Sequence, residues 1–399
     1  MSKLEELIQR YCPDGVEWHP FFDVCDLIRG ITYNKEQEAK TQTEDAHKVL
    51  RANNITLHLN TLNFEDVKLV SRDVVVKPTQ HLFAGDILMC AGSGSKEHVG
   101  KVAFIPVDMD YTFGGFMAVV RCKKTILPRF VYHILTSGYF SNHLEIQINS
   151  STINNINKQV MQSFEIPIPP LPVQEEIVRV LDTFTELQTE LQTELQKRLQ
   201  QYNYYRDNLL SFEGRSDVEW KKLGDICNVF TGGEVPEGSI KGDAPQGDMK
   251  YPIWGNGKDI YGYAKTYQIE QDAVCISSIG ANTGAVFFHK AFFTPIIRLK
   301  VLTPIDSQKL SVRYLFHALT VIGFYVKKSS VPNMNSNEVK QKIVPIPSLE
   351  EQQRIVDILD RFDSLANDLS KGLPAEIEKR RQQYEFYRDK LLTFKRKEA

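Results

Sequence analysis

One stretch of this chain is written twice, and the duplication constrains its fold more than any other feature. Residues 167–184 read PIPPLPVQEEIVRVLDTF and residues 345–362 read PIPSLEEQQRIVDILDRF, at a constant offset of 178. Pro167, Ile168, Pro169, Leu171, Gln174, Ile177, Leu181, Asp182 and Phe184 fall on Pro345, Ile346, Pro347, Leu349, Gln352, Ile355, Leu359, Asp360 and Phe362. YNYYRDNLLSF (202–212) returns as YEFYRDKLLTF (384–394) at an offset of 182, so the second copy is four residues longer between its anchors. VEWHPFFDVCDLIRG (16–30) returns as VEWKKLGDICNVFTG (218–232) at an offset of 202. Between these shared edges, residues 31–152 and 233–330 show no obvious similarity to each other. The layout is variable block, repeated block, variable block, repeated block. It predicts a pseudo-twofold molecule whose halves do parallel work on different targets.

The repeated blocks read as helices. Proline disfavours helix for itself and its predecessor, so PIPPLP and PIPSLE are expected to be extended. Beyond them Ile177, Val180, Leu181 and Phe184, and likewise Ile355, Ile358, Leu359 and Phe362, follow helical spacing. Leu187, Leu191, Leu195 and Leu199 continue the first stripe at period four; Leu365, Leu369, Leu373 and Ile377 continue the second, with a kink expected at Gly372 and Pro374. Two such helices most simply pack antiparallel. The variable blocks alternate short β-rich runs (67–70, 74–76, 273–277, 285–288) with Gly- and Asn-rich turns, which predicts compact α/β or α+β domains. The expected organisation is therefore a domain over 1–163, with an N-terminal helix over 2–11, then a long-helix region 164–213, a second domain 214–342 and a second long-helix region 343–399. The N-terminal helix is expected near the end of the second long helix, closing the pseudo-symmetry.

No stretch of about 18 apolar residues exists, which excludes a transmembrane helix. The N-terminus is amphipathic and lacks the apolar core of a signal peptide. The six cysteines are scattered without a CxxC pair, as expected of free thiols in a cytoplasmic protein. A formal net charge of −2 argues against a generally basic nucleic-acid binder. Residues 214–342, however, hold 16 basic and 12 acidic side chains, so any DNA contact depends on local placement.

Motifs for chemistry are absent. AGSGSKEHVGK (91–101) misses Walker A by one residue of spacing and has Val102 in place of Ser or Thr; Glu97 stands where GxGxxG needs its third glycine. His98, His289 and His317 are isolated, no HExxH or GxSxG occurs, and no metal site is expected. No Asn/Asp-Pro-Pro-Tyr/Phe motif of amino-methyltransferases is present.

The duplicated unit resembles the specificity subunit of type I restriction–modification systems. The resemblance is carried by Q-x-x-I-V-x-x-L-D-x-F (Gln174–Phe184 and Gln352–Phe362) and Q-Y-x-[YF]-Y-R-D-x-L-L-x-F (Gln201–Phe212 and Gln383–Phe394), and it covers the chain in order and length. It implies two target recognition domains, each reading half of a split site on double-stranded DNA. It also implies repeated helices that act as a ruler and dock two methyltransferase subunits, with restriction subunits joining them. S-adenosylmethionine, ATP and Mg2+ would sit on those partner subunits. This chain would bind none of them, enter no membrane and catalyse nothing. The competing reading is a coiled-coil scaffold with no DNA role.

DNA reading needs hydrogen-bonding side chains on exposed loops and cations for phosphates. In the first block Arg51, Asn53, Asn54, Lys96, His98, Lys101, Ser150, Ser151, Thr152, Asn154, Asn155 and Lys158 fit that description. In the second, Lys258, Ser277, Ser278, Asn282, Thr283, Ser329, Ser330, Asn333 and Asn335 do. The plain alternative is that they cap turns. The offset of 178 pairs Asn155 with Asn333 and Asn157 with Asn335, although both segments also lead into the same kind of helix. For the helix and subunit interface the expected residues are Ile177, Leu181, Phe184, Leu187, Leu191, Leu195, Tyr205 and Arg206 with Ile355, Leu359, Phe362, Tyr387 and Arg388. Within the first helix TELQ is repeated three times over residues 185–196, a unit close to one helical turn. It is read as an element that sets spacing.

Overall fold

The computed structural model describes residues 3–39, 46–57, 59–148, 155–324, 332–366 and 372–398. The expected contact residues Ser150, Ser151, Thr152, Asn154, Ser329 and Ser330 lie outside them, and the side chain of Lys96 is not described. The chain forms two compact units, Met1–Gln192 with Glu376–Ala399 and Thr193–Ala375. Compactness thus groups the chain differently from the repeat boundaries, and the dividing line crosses the TELQ repeat.

The first unit is built on an antiparallel sheet in which Cys25–Arg29, Met117–Cys122, Ile87–Cys90 and Val102–Phe104 are neighbours in that order. Side chains alternate across a strand. Ile87, Met89, Ala118 and Val120 therefore join one core with the helices, while Leu88, Cys90, Met117 and Val119 face a second core. Burial on both faces explains why these strands read as unbroken apolar runs. A smaller sheet places Ala46–Leu50 between antiparallel Lys68–Ser71 and parallel Thr112–Phe113. Val74–Val76, expected as a strand, is instead irregular backbone following a turn at Arg72 and Asp73: the Val74 amide closes that turn on the Ser71 carbonyl at 3.1 Å, and Val75 is exposed.

The second unit repeats this topology with unrelated sequence. Cys227–Thr231, Lys300–Pro304, Ala273–Ile276 and Val286–His289 lie in the same strand order. Tyr251–Trp254 again sits between an antiparallel strand, Ile260–Ala264, and a parallel one, Thr294–Pro295. Val274, Ile276 and Leu302 face one core, and Ala273, Cys275 and Val301 face the other.

The shared sequence edges are partners of one another. The VEW strand Glu17–Pro20 pairs with Glu165–Ile168 of the PIP motif, and Glu219–Lys222 pairs with Ile343–Ile346, with Trp18 opposite Pro167 and Trp220 opposite Pro345. Each variable block is thereby closed at its base by a two-stranded ribbon from which a helix departs. The shared glutamine fastens that departure. Gln174 accepts from the Leu127 amide at 2.9 Å and donates to the Pro169 carbonyl at 2.8 Å; Gln352 accepts from Ser311 and donates to Pro347, both at 2.9 Å.

The helix Leu171–Leu209 is continuous over 39 residues. Leu369 of the expected second stripe lies outside the described residues; those of the second copy form the helices Leu349–Ala366 and Leu373–Leu391, with a bend at Gly372. Pro374 falls in the first turn of the latter, where its missing N–H costs nothing. Within the first unit the pairing is antiparallel: Phe184 stacks on Tyr387 with centroids 5.6 Å apart, while Arg396 reaches back to Glu165 ahead of the long helix. Within the second, Tyr205 stacks on Phe362 at 5.4 Å, and Arg215 lies 3.7 Å from Glu351. The N-terminal helix Lys3–Tyr11 buries Leu4 in the same core as Leu392, and Lys3 donates to Glu176 at 2.8 Å.

Candidate nucleic-acid interface

In the first unit a cavity of about 840 Å³ opens among the loops at the strand ends, lined by Tyr33, Arg51, Asn53, Gly92 to Gly94, His98, Gly114, Gly115 and Phe116 among others. Three of the expected residues, Arg51, Asn53 and His98, meet there. RANN forms a single 3-10 turn at the end of its strand. Arg51 donates to Asp66 Oδ2 at 2.8 Å and Asn53 to the same carboxylate at 2.9 Å. Asn54 turns inward instead. It is fully buried, accepting from the Arg51 amide at 2.8 Å and donating to the Asn63 and Asp66 carbonyls at 2.9 and 3.1 Å. It is a loop pin, because a buried amide must bond on both sides.

Lys101 is also buried rather than displayed, donating to the Ile55 carbonyl at 2.9 Å, and burial lowers its pKa. Asn155 accepts from Arg29 Nη2 at 2.9 Å and forms a bridge with Gly92 at the cavity's edge. Lys158 is exposed, its ammonium 5.8 Å from the centre of the Phe22 ring. Lys96 opens the short turn Lys96–His98.

In the second unit three of the expected residues, Ser277, Ser278 and Asn282, gather around Asn256, which the sequence reading missed. Ser277 and Ser278 are buried, contrary to expectation. The Asn256 Oδ1 accepts from the Ser277 hydroxyl at 3.2 Å and from the Ser278 amide at 2.7 Å, and Asn282 donates to the Asn256 carbonyl at 3.3 Å. Thr283 donates to the Gly280 and Pro332 carbonyls at 2.7 and 3.2 Å. Lys258, Asn282 and Asn333 are exposed, and Asn333 forms a bridge with Ile279 as Asn155 does with Gly92. Asn157 and Asn335 cap the helices Lys158–Gln162 and Ser336–Lys340; Asn335 accepts from the Glu338 amide at 2.9 Å in a full capping box. That paired asparagine has a structural reason, N-capping.

The glycines ending the VEW repeats are explained by close approach. A Cβ on Gly30 would stand 2.2 Å from the Phe113 and Gly114 carbonyl oxygens, and one on Gly232 would stand 2.8 Å from the Ile296 amide. Phe116, 75% exposed on the cavity wall, is the residue there that sequence reasoning overlooked, since a phenylalanine reads as core.

On the helices Ile177, Leu181, Ile355 and Leu359 are fully buried, and Phe184 and Tyr205 form the stacks already described. Arg388 is buried beside Asp389 at 2.9 Å, 5.4 Å from the Tyr384 ring; Arg206 is half-buried beside Asp207 at 2.8 Å. The leucine stripe differs from expectation. Leu187 is 43% exposed while Gln188 is buried, and Leu191 and Leu195 are half-buried. A unit of four residues overshoots the 3.6-residue turn, so its leucines drift about 40° around the helix per repeat.

The shared aspartate also has a defined task, invisible in the sequence. Asp182 accepts from His133 Nε2 and from Arg129 Nε, both at 2.8 Å; Asp360 accepts from His317 at 2.7 Å and from Arg313 at 2.8 Å. Each arginine lies over two rings of its unit, Arg129 over Phe104 and Tyr132, Arg313 over Phe288 and Phe316. Burial lowers the pKa of both histidines, the facing carboxylates opposing it. Of the three isolated histidines of the sequence, His317 is thus a helix-docking group, with His133 its counterpart in the first unit; His98 lines the cavity and His289 stacks on Trp254. Among the described residues no cluster of possible metal ligands occurs, and no helix is long and apolar enough to cross a membrane.

Two sheet-based units with the same strand order, each fastened to a long helix by a Gln and an Asp, define a duplicated recognition fold. The family model for the type I restriction modification DNA specificity domain matches twice, over residues 13–201 and 215–379, and the chain belongs to that family. It is 34% identical over 328 residues to the type I restriction enzyme EcoR124I/EcoR124II specificity subunit of Escherichia coli, covering 73% of this chain and 78% of that one. It is 26% identical over 397 residues to the StySPI specificity subunit of Salmonella potsdam, covering 90% and 84%. In fold it is similar to the crystal structure of a type I restriction–modification S subunit from M. genitalium, with a TM-score of 0.56 at 18% identity over 94% of this chain and 95% of the other.

Proposed function

We propose that this chain is the DNA-reading subunit of a type I restriction–modification complex. Each unit reads one half of a bipartite target on double-stranded DNA, and the long helix sets the unread spacer between the halves. Two methyltransferase subunits dock against the helices, and restriction subunits join them. S-adenosylmethionine, ATP and Mg2+ belong to those partners, and no catalytic step is assigned to this chain. The observation that carries this reading is one sheet topology held twice on a shared frame while the loops around it differ, as two readers of different sequences require. The test is methylome sequencing of a strain with and without the gene. Loss of a bipartite methylated-adenine motif is the expected result. An unchanged methylome in a strain expressing the partner methyltransferase would favour a scaffold without a DNA role.

A further inference from the structure

The most unusual backbone in the second unit is at Ile297 and Arg298. Both have positive φ, 52° and 61°, and neither is glycine. For a β-branched residue such as isoleucine this is a strained conformation, which persists only where the surroundings over-determine it and which concentrates at functional sites. Every backbone group of the pair is fixed. The Ile297 amide bonds to Gly233 at 2.8 Å and the Arg298 amide to Gly232 at 3.0 Å. The Ile297 carbonyl accepts from Asn256 Nδ2 at 2.6 Å, and the Arg298 carbonyl accepts from the Ser278 hydroxyl at 2.6 Å. The buried serines and Asn256 therefore hold a turn whose own two side chains are exposed.

The same place exists in the first unit. Gly114 bonds to the Leu50 carbonyl as Ile296 bonds to that of Trp254, and Gly30 bonds to Met117 as Gly232 bonds to Leu299. The bridges Ile31 to Gly114 and Gly233 to Ile296 are both parallel. With these pairs aligned, Arg298 occupies the place of Phe116. The Phe116 carbonyl is likewise gripped from the neighbouring loop, by the Ala91 and Gly92 amides at 2.9 Å, and its ring is exposed on the cavity wall. One topological position thus presents a guanidinium in one unit and an aromatic ring in the other, each on a rigid turn.

We propose that this position determines specificity: Arg298 reads a base edge in the half-site of the second unit, and Phe116 holds the same role for the first. An arginine on a fixed turn suits the two acceptors of guanine, O6 and N7, whereas a phenylalanine offers apolar contact to a thymine methyl. The assignment rests on the DNA-reading function proposed above.

The test uses the full chain in a host expressing its methyltransferase, read by methylome sequencing. Arg298→Ala broadens one guanine position in one half-site, roughly ten-fold or more in discrimination, and leaves the other half-site sharp. Phe116→Ala broadens the opposite half-site only. Arg298→Gly, which relaxes the positive φ, gives the same broadened motif with an unlowered thermal midpoint, so misfolding is not its cause. An unchanged motif, or a uniform fall in methylation at every site with the motif still sharp, as a phosphate contact gives, overturns the assignment. If deleting the gene leaves the methylome unchanged, the DNA-reading function itself fails. If deletion removes the motif but Arg298→Ala leaves it sharp, only the role of Arg298 fails.

Discussion

Deleting Thr193–Gln196, one TELQ unit, is the sharpest test of the long helix as a ruler. The repeat is ordinary helix, continuous through all three units, and the Thr185 and Thr189 hydroxyls donate to the carbonyls four residues earlier, at 3.1 and 2.9 Å. Removing four residues shortens it by about 6 Å and removes about 400° of winding, a net turn near 40°. One base pair rises about 3.4 Å and turns roughly 34–36°. The rotation matches one base pair, and the shift exceeds one base-pair rise by about 2.6 Å, which bending must absorb. Methylome sequencing of the deletion strain should therefore show both half-sites unchanged and the spacer one base pair shorter. A deletion of three residues removes about 300°, turning the downstream helix about 60° the opposite way, so methylation should fall rather than shift. Altered half-site bases with an unaltered spacer would refute the reasoning, as would equal tolerance of the three- and four-residue deletions.

Three further outcomes follow from individual side chains. Leu181→Ala, in a fully buried site, should cost about 2–5 kcal/mol in urea unfolding, whereas Leu187→Ala, 43% exposed, should cost well under 1 kcal/mol; equal costs would contradict the drift of the leucine stripe. His289 stacks on Trp254 at 4.1 Å, and burial pushes its pKa down to about 4. The unfolded chain takes up that proton first, so the stabilisation is full above about pH 6.5 and is lost as pH falls toward 4, about 3 kcal/mol in all. His289→Phe should flatten that stretch of the stability–pH curve. Asn335→Ala should lower stability by about 1 kcal/mol in thermal unfolding with the methylated motif unchanged, since its amide caps a helix.

The frame was legible in the sequence because it is written twice. The matched motifs predicted the helices, the VEW and PIP edges and the duplicated plan, and the paired Asn157 and Asn335 were visible as a pair. Other features were not legible, for physical reasons. The common topology of the two sheets is hidden because a strand buried on both faces asks only for apolar residues, and Ile-Leu-Met-Cys (87–90) serves as well as Ala-Val-Cys-Ile (273–276). The inward turn of Asn54, Ser277 and Ser278 is hidden because polar side chains that pin a loop look like those that decorate one. The exposure of Leu187 follows from a mismatch between a four-residue repeat and a 3.6-residue turn, which a count of leucines conceals.

The same separation explains how one fold can read two targets. Gln174 and Gln352 bind backbone groups, and Gly30 and Gly232 make room for backbone, so neither contact depends on which side chains the variable blocks carry. Asp182 and Asp360 need only an Arg and a His four residues apart on one helix, and both units supply them. A loop can therefore change Phe116 into Arg298 without disturbing the ribbon, the sheet or the helix beneath it. The second turn bears a local strain that the first does not: Ile297 and Arg298 stand at positive φ, whereas Gly115 and Phe116 do not, and Asn256 and Ser278 hold the strained pair. Strain confined to an exposed, fully bonded turn is expected where the side chain must be held still for a partner, and a turn serving stability alone would be relieved by a glycine.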